Sequence, residues 1–408
     1  MRPCTAFCLA ILAAACARGE ASNSMGHVTV DTVGRVPRTV TESPVGWRDT
    51  SGWKLVESAR IAGGTDAPGE LIDPQDVAIG DDGSIYVSEN SPSVIKKFTP
   101  QGAFVRTIGR EGEGPGEFRA GFIASRGGEL LVHDPRSLRT SVFDTAGTFL
   151  RAWHSVCCYY SSIPMDSSGA VGLPTMAPRD TGSNANQPFD HLVRWYRSDS
   201  VLVDSTLMPS GPDVKRWTIK QGKNGIMSTT VPWVPNQIST FLPDRTMLVG
   251  YANGYQIAVT DRTGRDTTAL FGRTWTPVPI PDAVRRAEVE RRVTQTSKFW
   301  DERAVRNAFL LTDVPTSAPA FDWLGLDGQG NIWARTPLPG DSTRTLFDIF
   351  DPAHRWLGQV AGSGLLRAWG MKLSGDHMIG FGEDDDGNPV VVVYRIQRGG
   401  WTTRRVGG

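Results

Sequence analysis

Cysteine is scarce in this chain: five residues in 408, at positions 4, 8, 16, 157 and 158, with no C-x-x-C pair. A metal or redox site of that kind is therefore excluded. Histidine is nearly as rare, at six, and neither H-E-x-x-H nor G-x-S-x-G occurs. The helical zinc-protease and nucleophile-elbow hydrolase patterns are thus absent. Net charge is also missing, because Lys+Arg and Asp+Glu both number 43. No global field draws the chain to nucleic acid or to an anionic membrane surface. The apolar run Ala6–Ala15 is too short to span a bilayer. What is plentiful is Gly, at 45, and Pro, at 27, beside an apolar fraction of only 39%. That mixture suits many short strands joined by tight turns better than long buried helices.

The N-terminus reads as an export signal, with Arg2 ahead of the apolar run. Its end, Leu12-Ala13-Ala14-Ala15-Cys16, resembles the lipobox of bacterial lipoproteins, with Ala13 where Leu is commonest. The resemblance implies that Cys16 becomes the acylated first residue of the mature chain. Ala17 follows in place of Asp, which in Gram-negative lipoproteins implies sorting to the outer membrane, facing the periplasm or the cell surface. An ordinary secretory signal cleaved nearby is the alternative. Residues 1–16 are thus assigned to the signal and its lipidation cysteine. Residues 17–52, rich in Ser, Thr, Gly and Pro, read as a flexible tether. Only Cys157 and Cys158 remain beyond the signal, as two buried thiols or as a strained vicinal disulfide.

From residue 53 to 408 a repeat governs the pattern. Gly83 and Gly128 lie 45 positions apart, as do Phe98 and Phe143, Gly102 and Gly147, and Phe104 and Phe149. The same grammar of polar Gly turn and short apolar strand returns at Asp327–Trp333. A period of this length filled with short strands marks a propeller blade, a four-stranded antiparallel sheet that must stack on neighbours to bury both faces. The link Gly112-Glu113-Gly114-Pro115-Gly116-Glu117-Phe118 is similar to the "GxGPGxF" link of NHL-repeat and TolB-like six-bladed propellers, echoed at Pro68–Leu71. Blades are expected at 69–109, 116–153, 154–210, 225–273, 318–361 and 364–398, the third and fourth degenerate. The remaining stretches are too short for a seventh. Lys54–Gly63 matches an outer strand plus link and is expected to close the last blade, in competition with Trp401–Val406. Residues 282–311 are charged and strand-poor, with Val289, Val293, Thr296 and Trp300 at helical spacing. They read as a helical insert between blades four and five, either a buttress or a lid, with Asp282 as its N-cap.

Propellers bind ligands mostly at one mouth of the central channel, where second strands end and interblade links begin. That rule nominates Glu89, Asn90, His133, Asp134, Arg136, Tyr251, Asn253, Arg335, Glu383, Asp384 and Asp385. Polar residues at such turns also commonly just tie the loop. The run Glu383–Asn388 resembles a calcium loop but lacks D-x-D-x-D-G spacing. Three functions compete. One is a non-catalytic module binding a protein, peptide or glycan at the mouth, with no cofactor and no nucleic acid. A second is a hydrolase or lactonase similar to gluconolactonase-type propellers. That resemblance implies Ca²⁺ or another divalent cation on Glu89, Asn253 and Asp384. A third, a metal-dependent lyase related to NHL proteins, needs several mouth histidines, and only His133 is placed there.

Overall fold

A computed structural model of the protein describes residues 26–48, 52–64, 67–155, 163–178, 189–197, 199–221, 225–341, 343–364 and 366–399. It is mostly β, and its main sheets stack as six blades around an axis. Blade one runs outward through Pro74–Ile79, Ile85–Asn90, Ser93–Phe98 and Phe104–Ile108. Blade two holds Phe122–Arg126, Glu129–Asp134, Arg139–Asp144 and Phe149–His154, and blade three shows Val171–Pro178, Phe189–Tyr196 and Leu202–Leu207 among the described residues. Blade four is built on Gln237–Phe241, Met247–Tyr251, Gln256–Thr260 and Thr267–Arg273. Blade five holds Trp323–Leu326, Ile332–Thr336, Arg344–Phe350 and Trp356–Ser363.

The stacking explains the residue pattern. A second strand is covered on both faces by neighbouring blades, so it reads as a continuous apolar run: Leu130, Leu131 and Val132 are all buried. An outer strand has one wet face and alternates, as Phe149–His154 does. The period in Gly102 and Gly147 has a steric cause. Both sit at left-handed φ in the turn to the outer strand, and a Cβ on Gly147 would lie 2.8 Å from Ile108.

Apolar clusters lie between successive blades. Phe381 and Val393 of blade six meet Val77 and Val87 of blade one, and Phe271 of blade four packs with Phe350 of blade five. Polar struts reinforce them. Asp348, fully buried, accepts hydrogen bonds from Tyr255, Arg273, Thr336 and Gln359, fastening blade five to blade four. Near the axis, the Lys372 ammonium lies 2.9 Å from Asp76, which also accepts from the Ile123 amide at 2.9 Å. Inner strands of blades six, one and two are thereby tied together.

Blade six consists of Lys372–Ser374, His377–Glu383 and Pro389–Arg398, completed on the outside by Trp53–Ala62. That strand pairs antiparallel with Pro389–Arg398 from Arg398↔Trp53 to Val390↔Ala62. The N-terminal strand thus closes the ring as expected, while Trp401–Val406 lies outside the described residues, as do Cys16 and Cys157–Cys158.

Of the expected tether, residues 17–52, the described part 26–48 packs on the propeller instead. Val28–Val33 and Val36–Thr41 form an antiparallel hairpin, and its second strand runs parallel to the outer strand of blade four. Thr41 is fully buried; its hydroxyl accepts from the Trp356 amide at 3.1 Å and its carbonyl from that of Thr274. The β-branched runs Val-Thr-Val-Asp-Thr-Val and Val-Pro-Arg-Thr-Val-Thr carry the strand propensity that bulk composition concealed. Trp47 packs at 5.1 Å on Trp53 in the core.

Blade four begins later than expected, at Gln237, because Gly225–Thr230 pairs with Arg216–Gln221 as a separate hairpin outside the ring. That hairpin packs on the helical insert, which comprises α1 (Asp282–Thr296) and α2 (Glu302–Ala308). Asp282 is the first residue of α1, not its cap, and it pairs with Arg285. Asp301 caps α2 by accepting from the Ala304 amide. Val289, Val293, Val305 and Phe309 bury against Trp217 and Ile219 in a core of their own, with Trp217 stacked on Phe309 at 4.4 Å.

Candidate functional site

Both inserts occupy links from an outer strand to the next inner strand, so both emerge on the face where second strands end. Residues 208–236 join blade three to four, and 274–322 join blade four to five. The two form one cap on the mouth face, leaning on the loop after the second strand of blade five. There a Cβ on Gly340, at φ +86°, would come within 2.8 Å of Val284 in α1. Glycine is the residue that both the backbone and the contact admit.

Beneath the cap lie two cavities of about 450 Å³ each. Trp233 and Asp322 line both, so the two adjoin at those side chains. Trp233 is half-buried and holds a left-handed backbone, φ +56°. For a bulky side chain this conformation is costly, on the order of 1–3 kcal/mol, and it persists only where surroundings impose it. The first cavity adds Arg216, Ser228, Thr230, Asn236 and Arg292. The second adds Glu288, Arg291, Arg335, Asp341 and Arg344.

The sequence-nominated residues lie on the same face, but most serve a different purpose. Glu89, fully buried, accepts from the Asp73 amide at 2.6 Å and the Ile72 amide at 3.3 Å, and meets Lys96 at 3.2 Å. Asn90 donates to the Asp73 carboxylate at 3.1 Å. Asp134 accepts from the amides of Arg119, Arg136 and Ser137, and Arg136 donates to the Arg119 carbonyl. Arg335 clasps Asp322 and the Leu366 carbonyl, and Glu383 pairs with Arg367. In each case the end of a second strand latches a link that enters or leaves an inner strand. The recurrence seen in the sequence is real, and its cause is mechanical.

His133 is buried; its Nδ1 meets Thr140 and Ser155 hydroxyls, and its Nε2 has no hydrogen-bond partner. Burial pushes its pKa down to about 4, with Asp134 opposing. Tyr251 is half-buried at a strand end and Asn253 exposed in the following turn. Asp384 accepts from Asn388, side chain and amide, and from the Asp386 amide. These bonds hold its carboxyl below the usual range. Asp385 is exposed in the same turn.

The proposed cation set therefore does not fit: Glu89 and Asp384 are each consumed by local bonds. Among the described residues no group of three or more His, Cys, Asp or Glu is placed to hold a metal. A consequence follows for Glu89→Gln. If the residue were one of several repelling ligands, neutralising it would cost the apo protein nothing. As a buried partner of Lys96 it should instead destabilise by roughly 3–5 kcal/mol. Urea unfolding of the two proteins, with and without Ca²⁺, checks this; unchanged stability contradicts the latch.

Sequence reasoning missed Trp233, Arg216 and Asp322. They lie in links outside the repeat, and nothing in their spacing unites residues so far apart. The one available signal was the unusual length of two consecutive links.

No family model matches the chain, and no curated protein does. Similar solved structures include a Bacteroides fragilis protein described as exported, 12% identical, TM-score 0.46, covering 85% of this chain and 96% of the other. A DUF4221 family member from Bacteroides vulgatus is 9% identical, TM-score 0.42, covering 86% and 100%. Virginiamycin B lyase from Staphylococcus aureus is 10% identical, TM-score 0.38, covering 84% and 99%. No helix among the described residues is long and apolar enough to cross a membrane.

Proposed function

We propose that this chain is an exported propeller of the NHL-repeat kind, lipid-anchored through Cys16, that binds a ligand under its mouth cap. The carrying observation is the pair of adjoining cavities around Trp233. Each has the size usual for small-ligand sites, ~300–1,000 Å³, and mixes an aromatic wall with a few polar groups. The strained Trp233 backbone supports the reading, since imposed strain clusters at ligand clamps. A binding role is favoured over catalysis because the mouth carboxylates are spent on latches and His133 is buried among strands.

Glycan and peptide arrays probed with the mature domain test this. At least one bound compound should lose about tenfold or more in affinity with Trp233→Ala, while the melting transition stays cooperative. Binding indifferent to Trp233 would overturn the mouth site. In cells producing the full chain, Cys16→Ser should release the protein from the membrane fraction, and an unchanged partition would overturn the lipid anchor.

A further inference from the structure

We infer that the ligand under the cap is an acidic glycan bearing a carboxylate on successive rings; this rests on the mouth-cap reading above. The first observation is charge. Five arginines line the two cavities against three carboxylates, in a chain whose formal net charge is zero. Asp322 is engaged by Arg335 and Asp341 by Arg344. Glu288 serves two guanidiniums, Arg291 at 2.7 Å and Arg292 at 2.8 Å. Arg216 has no carboxylate among its described contacts. Its Nε and Nη2 donate to the Ser228 hydroxyl and carbonyl at 2.9 Å, and its Nη1 to the Thr230 hydroxyl at 3.2 Å.

The second observation is orientation. Arg292 donates to the carbonyl of the same Thr230 at 3.2 Å. One residue thus gathers two guanidiniums at the first cavity's wall. The three bonds of Arg216 fix its plane and use three of its five N–H groups, leaving two for a planar anion. Guanidinium favours carboxylate in such a setting because the fork permits paired, charge-assisted bonds.

The third observation is the layout. Cationic groups line both of the cavities that Trp233 borders: Arg216 and Arg292 in one, Arg291 in the other, the latter two sharing Glu288 as counter-charge. A single small anion would engage one cavity only. A short chain of sugar rings laid across the indole, carrying one carboxylate per ring, addresses both. The hydroxyl and amide groups of Thr230 and Asn236 add the neutral polar contacts that sugar hydroxyls require.

Calorimetric titration with tri-galacturonate, its methyl ester and a Glu-rich peptide tests the inference on wild type, Arg216→Gln and Trp233→Ala. The acid should bind at least about tenfold tighter than the ester, and Arg216→Gln should cut that preference without moving the melting temperature. Trp233→Ala should weaken acid and ester alike. Equal binding of acid and ester by wild type overturns the inference, and the mouth site survives if Trp233→Ala still abolishes both. Peptide binding without sugar binding overturns the acidic-glycan assignment. Failure of all three probes overturns it too, while the array result with Trp233→Ala independently decides the site itself.

Discussion

A chain lacking residues 53–62 is expected to lose its cooperative unfolding transition, whereas one lacking residues 26–44 should keep it at a lowered melting temperature. The first deletion removes the outer strand of blade six, with Trp53, Ala59 and Ile61 buried in two interblade cores. Each large apolar side chain is worth about 1.5–3 kcal/mol, and the lost ladder bonds add about 1 kcal/mol apiece. The total rivals the ~5–15 kcal/mol that holds a typical fold together. The ring also opens at an unpaired sheet edge, an invitation to aggregate. The second deletion removes a hairpin laid on a blade already complete at four strands. Its buried contribution is concentrated in Thr41. Circular-dichroism melts of both truncations provide the comparison. Similar transitions in the two would show that the N-terminal strand is not the closure.

The other large effect is a pH dependence centred on His133. In the unfolded chain this imidazole titrates near 6.5, whereas in the fold it is held down to about 4. The folded state therefore favours the neutral ring. Its contribution is fully present above pH ~6.5 and is lost as pH falls through that value toward the folded pKa. Near pH 4.5 the loss should reach about 2–3 kcal/mol, from about 1.4 kcal/mol per unit of pKa difference. Carboxylates with lowered pKa, such as Asp384 and Asp341, give up stability at still lower pH. The informative quantity is thus the difference between wild type and His133→Gln. Urea midpoints at about pH 7.5 and 4.5 should fall further for wild type than for the variant. Parallel losses would mean that the ring accepts a proton in place without penalty.

Much of the architecture was legible residue by residue. Gly102 and Gly147 announced the turn because only a left-handed backbone completes it there. Phe98 and Phe143 repeat because the same inter-blade slot recurs. The closing strand showed itself because Lys54–Gly63 copies an outer strand with no inner strands before it. Helical spacing found Val289 and Val293, both buried in the cap. The hairpin at 28–41 escaped because its alternation is brief and lies inside a polar composition.

The candidate site divides along a different line. Sequence alone determined the propeller, its insert and the polar ends of its second strands, and it narrowed the closing strand to two candidates. These depend on local propensity and on a repeat that each blade restates. It could not say that Glu89, Asp134 and Arg335 are latches, since their partners are backbone groups whose availability depends on how a link is bent. Nor could it place Arg216, Trp233 and Arg292 around one cavity. Those residues come from two insertions that no period connects, and the core they share around Trp217 and Phe309 draws them together. Burial of apolar surface is non-directional: it shows in sequence which residues seek cover, but only the tertiary structure decides against what.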